Sequence, residues 1–240
     1  MRTILSFLAI LAAAAGALPG RAVAGPIAPD RVLVVELFSS QACAACPAAN
    51  AVVAGLAQRD ETLLLLDLHV TYFDRAGWKD RYSIPAASRR QQRYSAQLGT
   101  AGVYTPQVVV GGRQEAQGYD AAAVHAAVAR ARAAQAGPAA VGVALSRDGG
   151  GLRLSAGAGA GRGTLWLVGF DPPSGRGGAG VNTVRSLSAA GDWHGEALTV
   201  AAAQPLGERT ALLLQDGDGA ILAAARRRGA PGMLRLVCCA

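Results

Sequence analysis

A nearly continuous apolar strand that runs straight into a Cys-x-x-Cys pair constrains this chain more than any other feature. Residues 31–47 read RVLVVELFSSQACAACP, where Val32, Leu33, Val34, Val35, Leu37 and Phe38 form the run expected of a parallel strand covered on both faces. Ser39, Ser40 and Gln41 end it. From Cys43 onward the residues favour a helix, and Pro47 is tolerated in a first helical turn. Both sulfurs are therefore expected at a helix start, where unpaired N–H groups and the positive end of the helix dipole favour a thiolate over a thiol. Cys43 is the expected nucleophile. Cys46, three residues on and on the same face, is close enough to resolve a mixed disulfide formed at Cys43. A static disulfide and half of a metal site are the alternatives for the same two residues.

The next segments complete a strand, helix, strand unit. The helix is expected to run to about Arg59 with Val52, Val53 and Leu56 facing the core, and residues 62–70, TLLLLDLHV, read as a second buried parallel strand. Such a crossover is almost always right-handed and sets the two strand ends side by side, so Asp67, His69 and Tyr72 are expected near Cys43. His69 with Cys43 and Cys46 is an alternative copper set, since thiolates select Cu(I) and imidazole suits copper. Residues 71–84 form a polar, aromatic loop whose Tyr72 and Trp78 are candidate walls of a site at the strand ends. A helix over 86–98 follows, ended by Gly99, and then GVYTPQVVVGGR at 102–113, with Thr105-Pro106 a candidate cis bond before a strand. A hairpin over 108–117 and a helix over 121–135 close the first half.

That order, βαβ, α, ββα, with the cysteine pair opening the first helix and Thr-Pro before the third strand, is similar to the thioredoxin fold. More narrowly, VVELFSSQACAACP, LHVTYFDRAGWKD and GVYTPQVVVGGR resemble an uncharacterised exported bacterial family, a domain of unknown function within the thioredoxin-like superfamily. The resemblance implies that Pro106 packs against the cysteine pair and that the backbone at Thr105 pairs with a bound peptide. With the motif chemistry it points to a thiol–disulfide oxidoreductase that exchanges with protein thiols and disulfides and needs no cofactor. Ala42 and Ala44-Ala45 depart from thioredoxin itself, where tryptophan precedes the pair and Gly-Pro separates it. Glu36 is the nearest counterpart of the thioredoxin buried acid and a candidate proton acceptor for Cys46. Its register is shifted by one residue, and such a shift can move a side chain to the other face of a sheet.

Residues 1–24 read as a removable signal peptide: Met1 and Arg2, an apolar run over 4–18, and the small-x-small pattern Ala22-Val23-Ala24. The mature protein is then expected to be exported, periplasmic or secreted, without a stable membrane span, in a compartment where disulfides persist. The formal charge of +7 falls to about +5 once Arg2 and Arg21 leave. Arg89-Arg90 and Arg226-Arg227-Arg228 are expected to be solvated faces, because neither carries interleaved aromatics, and no nucleic-acid partner is expected.

Beyond Pro138 the texture changes to short strand-like runs at 141–145, 152–155, 164–170, 196–202, 210–215 and 220–225. The fold expected is thus an α/β thioredoxin-like domain over 25–137 followed by a small all-β, sandwich-like accessory domain over 138–240. Asp171, Asn182, Trp193 and His194 are expected to be structural, and the Gly-rich loop at 174–180 lacks the Lys and Ser/Thr of a phosphate cradle. Cys238 and Cys239 form either a frayed tail or an internal relay to Cys43. A non-catalytic module that keeps the fold with a structural disulfide is the remaining alternative.

Overall fold

The computed structural model describes residues 31–136, 141–173 and 181–227. The expected signal peptide, the loop at 174–180, Arg228 and the Cys238-Cys239 tail lie outside the described residues.

Strand β1 (Leu33–Ser39) is buried along its whole length because both faces of the sheet are covered. Val34 and Phe38 face α2 (Pro85–Leu98), packing with Ala87 and Tyr94. Leu33, Val35 and Leu37 face the other way, toward α1 (Cys46–Arg59) and α3 (Ala121–Ala134), with Ala49, Val53, Val124 and Ala127. Strand β2 (Leu63–His69) runs parallel to β1 in the register Ser39↔His69, so the two strand ends do lie side by side. Strand β3 (Gln107–Val110) pairs antiparallel with β1 and turns into β4 (Gln114–Gln117). Each of these elements falls within about two residues of its expected span.

The second half contributes β5 (Val143–Asp148), β6 (Gly151–Ala156), β7 (Gly163–Asp171), β8 (Asn182–Trp193), β9 (Leu198–Ala202), β10 (Arg209–Asp216) and β11 (Ile221–Arg226). Four of them extend the first sheet, which becomes eight-stranded in the order β11-β10-β7-β8-β2-β1-β3-β4, while β5, β6 and β9 form a separate antiparallel sheet. The protein is therefore a mixed α/β fold with one large mixed sheet and one small antiparallel sheet.

The expected small sandwich corresponds to the cluster of Val143, Leu152 and Leu154 against Leu165, Leu167, Leu212, Leu214 and Trp193. One of its layers, however, is the outer part of the large sheet, so the expected boundary at residue 137 does not divide two sheets. The joint is β8, which pairs parallel with β2 at Leu66↔Asn182 and Asp67↔Thr183, with Asn182 Nδ2 donating to the Leu65 carbonyl at 2.7 Å. Its sequence, NTVRSLSAAGDW, lacks the alternation of a half-buried strand, which is why the longest strand gave no signal.

Gly112 makes a second joint. Its φ is +73°, and a Cβ there would lie 1.8 Å from the Gly219 carbonyl oxygen, so only glycine lets the β3–β4 and β10–β11 turns meet.

Candidate active site at the cysteine turn

The link from β1 into α1 is a tight turn. Cys43 N–H donates to the Ser40 carbonyl at 3.1 Å, and Cys46 N–H donates to the Cys43 carbonyl at 3.2 Å. The helix that follows has no side-chain cap and no acidic residue in its first turn, and Pro47 stands at its start. Nothing on the helix itself competes with a sulfur for its positive end. Cys43 and Cys46 are joined as a disulfide, with Cα atoms 5.4 Å apart. Cys43 is 7% exposed and Cys46 2%, so the sulfur expected to meet a partner is the more open of the two, though only narrowly.

Pro106 reaches this helix through Gly118. A Cβ on Gly118 would lie 3.1 Å from Pro106 Cβ and 3.0 Å from Ala49 Cβ, which sets Pro106 beside the turn of α1 that follows Cys46. Gly118 N–H also donates to the Pro106 carbonyl at 2.8 Å, and Thr105-Pro106 is cis. Next to them the Tyr72 hydroxyl lies against the Gln91 and Thr105 side chains, and burial of this ring edge pushes the phenol pKa up. Gln91 Nε2 donates to the Tyr104 carbonyl at 2.7 Å and to Gln107 Oε1 at 3.0 Å. Tyr72, expected as a wall, thus does stand beside Thr105. Trp78 lies with its ring 6.0 Å from the Arg75 guanidinium, and its backbone closes the tip of its own loop with Arg75.

A charged cluster grips the same turn from the other side. Asp80 is buried, and its Oδ2 accepts from Gln41 N–H at 2.7 Å, from Ser40 Oγ at 3.1 Å and from His69 Nδ1 at 2.8 Å, while Oδ1 accepts from Tyr82 N–H at 2.9 Å. His69 Nε2 faces Asp67 Oδ2 at 3.3 Å, and Asp67 Oδ1 accepts from Ser39 Oγ at 2.5 Å. The Nε2 approach is ionic and lacks hydrogen-bond geometry, so Asp67 Oδ2 is a buried oxygen with spare accepting capacity. Burial alone would pull the His69 pKa down, but Asp67 and Asp80 outweigh it and raise it to about 8. Burial likewise pushes Asp80 up, and the Gln41 and Tyr82 N–H groups with His69 overcome it, holding the carboxyl below its ordinary range.

His69 therefore sits as a cation between two carboxylates, with both ring nitrogens engaged. This geometry makes it a donor to Asp80 and an ionic partner of Asp67 and gives no support to the alternative copper set of Cys43, Cys46 and His69. Among the described residues no group of three or more His, Cys, Asp or Glu side chains is arranged to hold a metal ion.

Glu36 proves to be on the other face of the sheet, as its shifted register allowed. It lies with Val34 and Phe38 on the α2 side, whereas α1 packs on the side of Leu33, Val35 and Leu37. There it accepts from Arg90 Nε at 2.5 Å, from Arg90 Nη2 at 3.1 Å and from the Tyr94 hydroxyl at 2.6 Å. It is thus committed to a buried ion pair and is not positioned as proton acceptor for Cys46.

Arg90, expected on a solvated face, is 1% exposed. Burial works against its charge, but Glu36 and Tyr94 hold its pKa above the ordinary arginine range. Its place on the stripe Ala87, Arg90, Tyr94 was the available signal, because that spacing marks the buried face of α2. Beside this network a cavity of about 180 Å³ is lined by Arg93, Gln97, Trp166 and Gln215, among others, and shares no lining residue with the cysteine turn.

Of the residues expected to be structural, Trp193 is buried with Nε1 donating to the Gly157 carbonyl at 3.0 Å, Asp171 pairs with Arg185 at 2.6 Å, and His194 is exposed.

Three comparisons bear on this site. The family described as "Protein of unknown function (DUF1223)" matches residues 34–215, a span that contains Cys43, Cys46, His69, Asp80 and Pro106. The crystal structure of a protein from Agrobacterium tumefaciens is similar, with a TM-score of 0.70 and 28% identity, covering 84% of this chain and 96% of that one. No curated protein matches the chain.

Proposed function

Because the chain belongs to the DUF1223 family, whose description leaves function open, we propose a function from the site itself: an exported thiol–disulfide oxidoreductase. In this reading Cys43 is the exchanging sulfur and Cys46 the resolving one. The observation that carries it is a disulfide between these two residues at the first turn of α1, directly after a buried parallel strand and beside Pro106. The strand order β2-β1-β3-β4, with α1 and α3 on one face and α2 on the other, supports reading residues 33–134 as thioredoxin-like. Export agrees with an oxidised pair, since disulfides persist outside the cytosol.

The chemistry balances with a partner dithiol as co-reactant. A partner thiolate attacks Cys43 Sγ, forming a mixed disulfide and releasing Cys46 as a thiolate that takes up a proton. The partner's second thiolate then attacks its own sulfur of the mixed disulfide and releases Cys43 as a thiolate, so the partner loses two electrons and the cysteine pair gains them. The reverse sequence reduces a partner disulfide. Uncapped N–H groups at the start of α1 stabilise the Cys43 thiolate in either direction. Thr105 and Pro106 shape the surface on which a peptide partner would lie, with Tyr72 as its wall.

The test equilibrates the protein, without residues 1–24, against mixtures of reduced and oxidised glutathione and traps free thiols, with Cys43→Ser as control. A reversible two-electron couple that disappears in Cys43→Ser supports exchange. A pair that stays oxidised across the whole range refutes it in favour of a structural bridge. Titration with Cu(I) runs alongside, and tight binding without exchange would favour metal handling.

A further inference from the structure

We propose that the cluster of Asp67, His69 and Asp80 is the positioning element of the cysteine pair, holding the turn that carries Cys43 and setting the charge on that side of the sheet. The proposal rests on the exchange reading above and names residues that reading does not use.

On β2, Leu63 and Leu65 pack with α1 and α3, while Leu64, Leu66 and Leu68 pack with α2. Strand alternation puts Asp67 and His69 on the side of the sheet where α1 and the cysteines lie. Ser39, opposite His69 in the register, shares that side. The acid that the sequence offered, Glu36, is on the other.

The cluster holds every residue of the turn before Cys43, directly or through a neighbour. From the last residue of β1 to Cys43 the chain runs through Ser39, Ser40, Gln41 and Ala42, and each is fastened. Ser39 Oγ is bound by Asp67, and Ser40 Oγ and Gln41 N–H by Asp80. Ala42 N–H donates to Ser40 Oγ at 3.2 Å, and Gln41 Oε1 accepts from Arg81 N–H at 3.1 Å. Gln41 and Ala42 are exposed residues of a short turn, and such a turn does not need two buried carboxylates to close. The imidazole between the carboxylates makes the two ends of the grip one unit.

Two carboxylates on one imidazolium leave an excess negative charge. The other charged or titratable groups around the cluster do not cancel it. Asp74, accepting from Asp80 N–H and Ser83 Oγ, adds to it. Tyr82 packs its ring on His69. Arg81 and Arg185 lie over the Tyr82 ring at 5.2 and 5.4 Å from its centre, and Arg185 is paired with Asp171. A nearby negative charge disfavours the Cys43 thiolate, so the cluster opposes the positive helix end and poises the pair toward the reducing side.

The test compares the protein with Asp67→Asn and Asp80→Asn, each checked for folding by circular dichroism. Two quantities are read: the equilibrium constant with glutathione at pH 7, and the pH profile of Cys43 alkylation in the reduced protein. Neutralising either carboxylate is expected to shift the equilibrium toward the reduced pair by about threefold or more and to move the alkylation midpoint to lower pH. A purely structural role would lower stability and leave the alkylation midpoint in place. Asp67→Asn, which touches the turn only through Ser39, carries the test, and Asp80→Asn replaces it should that variant not fold. A folded variant whose constant shifts less than threefold, with an unmoved midpoint, overturns the proposal. If the unsubstituted pair itself fails to exchange, the exchange reading falls first; if it exchanges and the variants match it, only this inference falls.

Discussion

Replacing Arg90 by methionine should destabilise the protein more than most single substitutions, and the structure gives the reason. Arg90 and Glu36 are each 1% exposed. The guanidinium donates to both Glu36 oxygens, to the Tyr94 hydroxyl at 2.9 Å and to Gln215 Oε1 at 2.9 Å. Methionine fills much of the volume but leaves a buried carboxylate with one remaining donor, Tyr94, and leaves Gln215 Oε1 without one. Removing one partner of such a pair costs about 3–5 kcal/mol, because the surviving charge is neither solvated nor paired. For a chain of this size that is a Tm lower by about 6–20 °C.

The control is Glu36→Leu combined with Arg90→Met, which removes both charges and should recover most of the loss. Urea unfolding of the disulfide-intact proteins, followed by tryptophan fluorescence, measures all three variants. The reasoning fails if Arg90→Met costs less than about 1 kcal/mol, or if the double variant is as unstable as the sum of the singles. Gln215 belongs to β10, so the same experiment reports on the contact between the two halves of the chain.

Stability should also fall on the alkaline side. The His69 pKa is about 8 in the folded protein against 6.5 in the unfolded chain, so the folded state binds the proton more tightly. The contribution is fully present below about pH 6.5 and is lost as pH rises through about 8, amounting to about 2 kcal/mol. Urea midpoints between pH 6 and 9 should show this decline, and His69→Gln should flatten it; a wild-type curve already flat across that range would contradict the ion-pair geometry. Gly118→Ala should cost about 1–3 kcal/mol, since its Cβ would press on Ala49, Pro106 and Leu37 at 3.0–3.3 Å inside a packed core. An unchanged urea midpoint in Gly118→Ala would show that Pro106 and α1 are less closely joined than described.

Much of the first half could be read from residues alone. The apolar runs at β1 and β2, the cysteine pair at the start of α1, the Gly111-Gly112 turn and the alanine-rich α3 are local patterns, and local patterns carry their periodicity with them. The side chain of Glu36 was already doubtful for the same reason: a period of two makes one residue of shift decide the face. What the residues could not show is which strands meet across long separations. Asn182 to Trp193 has no strand signature, and it pairs with β2 at Leu66 and Asp67, where Asn182 also donates to the Leu65 carbonyl. Likewise Asp80 reads as one more loop carboxylate until the fold brings it to Gln41 and His69, and Arg90 reads as one of two adjacent arginines until Glu36 faces it across 54 residues. Sequence by itself determined the elements of the first half and the cysteine motif, because backbone preference and burial pattern act over a few residues. Tertiary structure decided the single large sheet, the burial of Arg90 and the charged grip on the cysteine turn, because these depend on the desolvation of groups that meet only when the chain has closed.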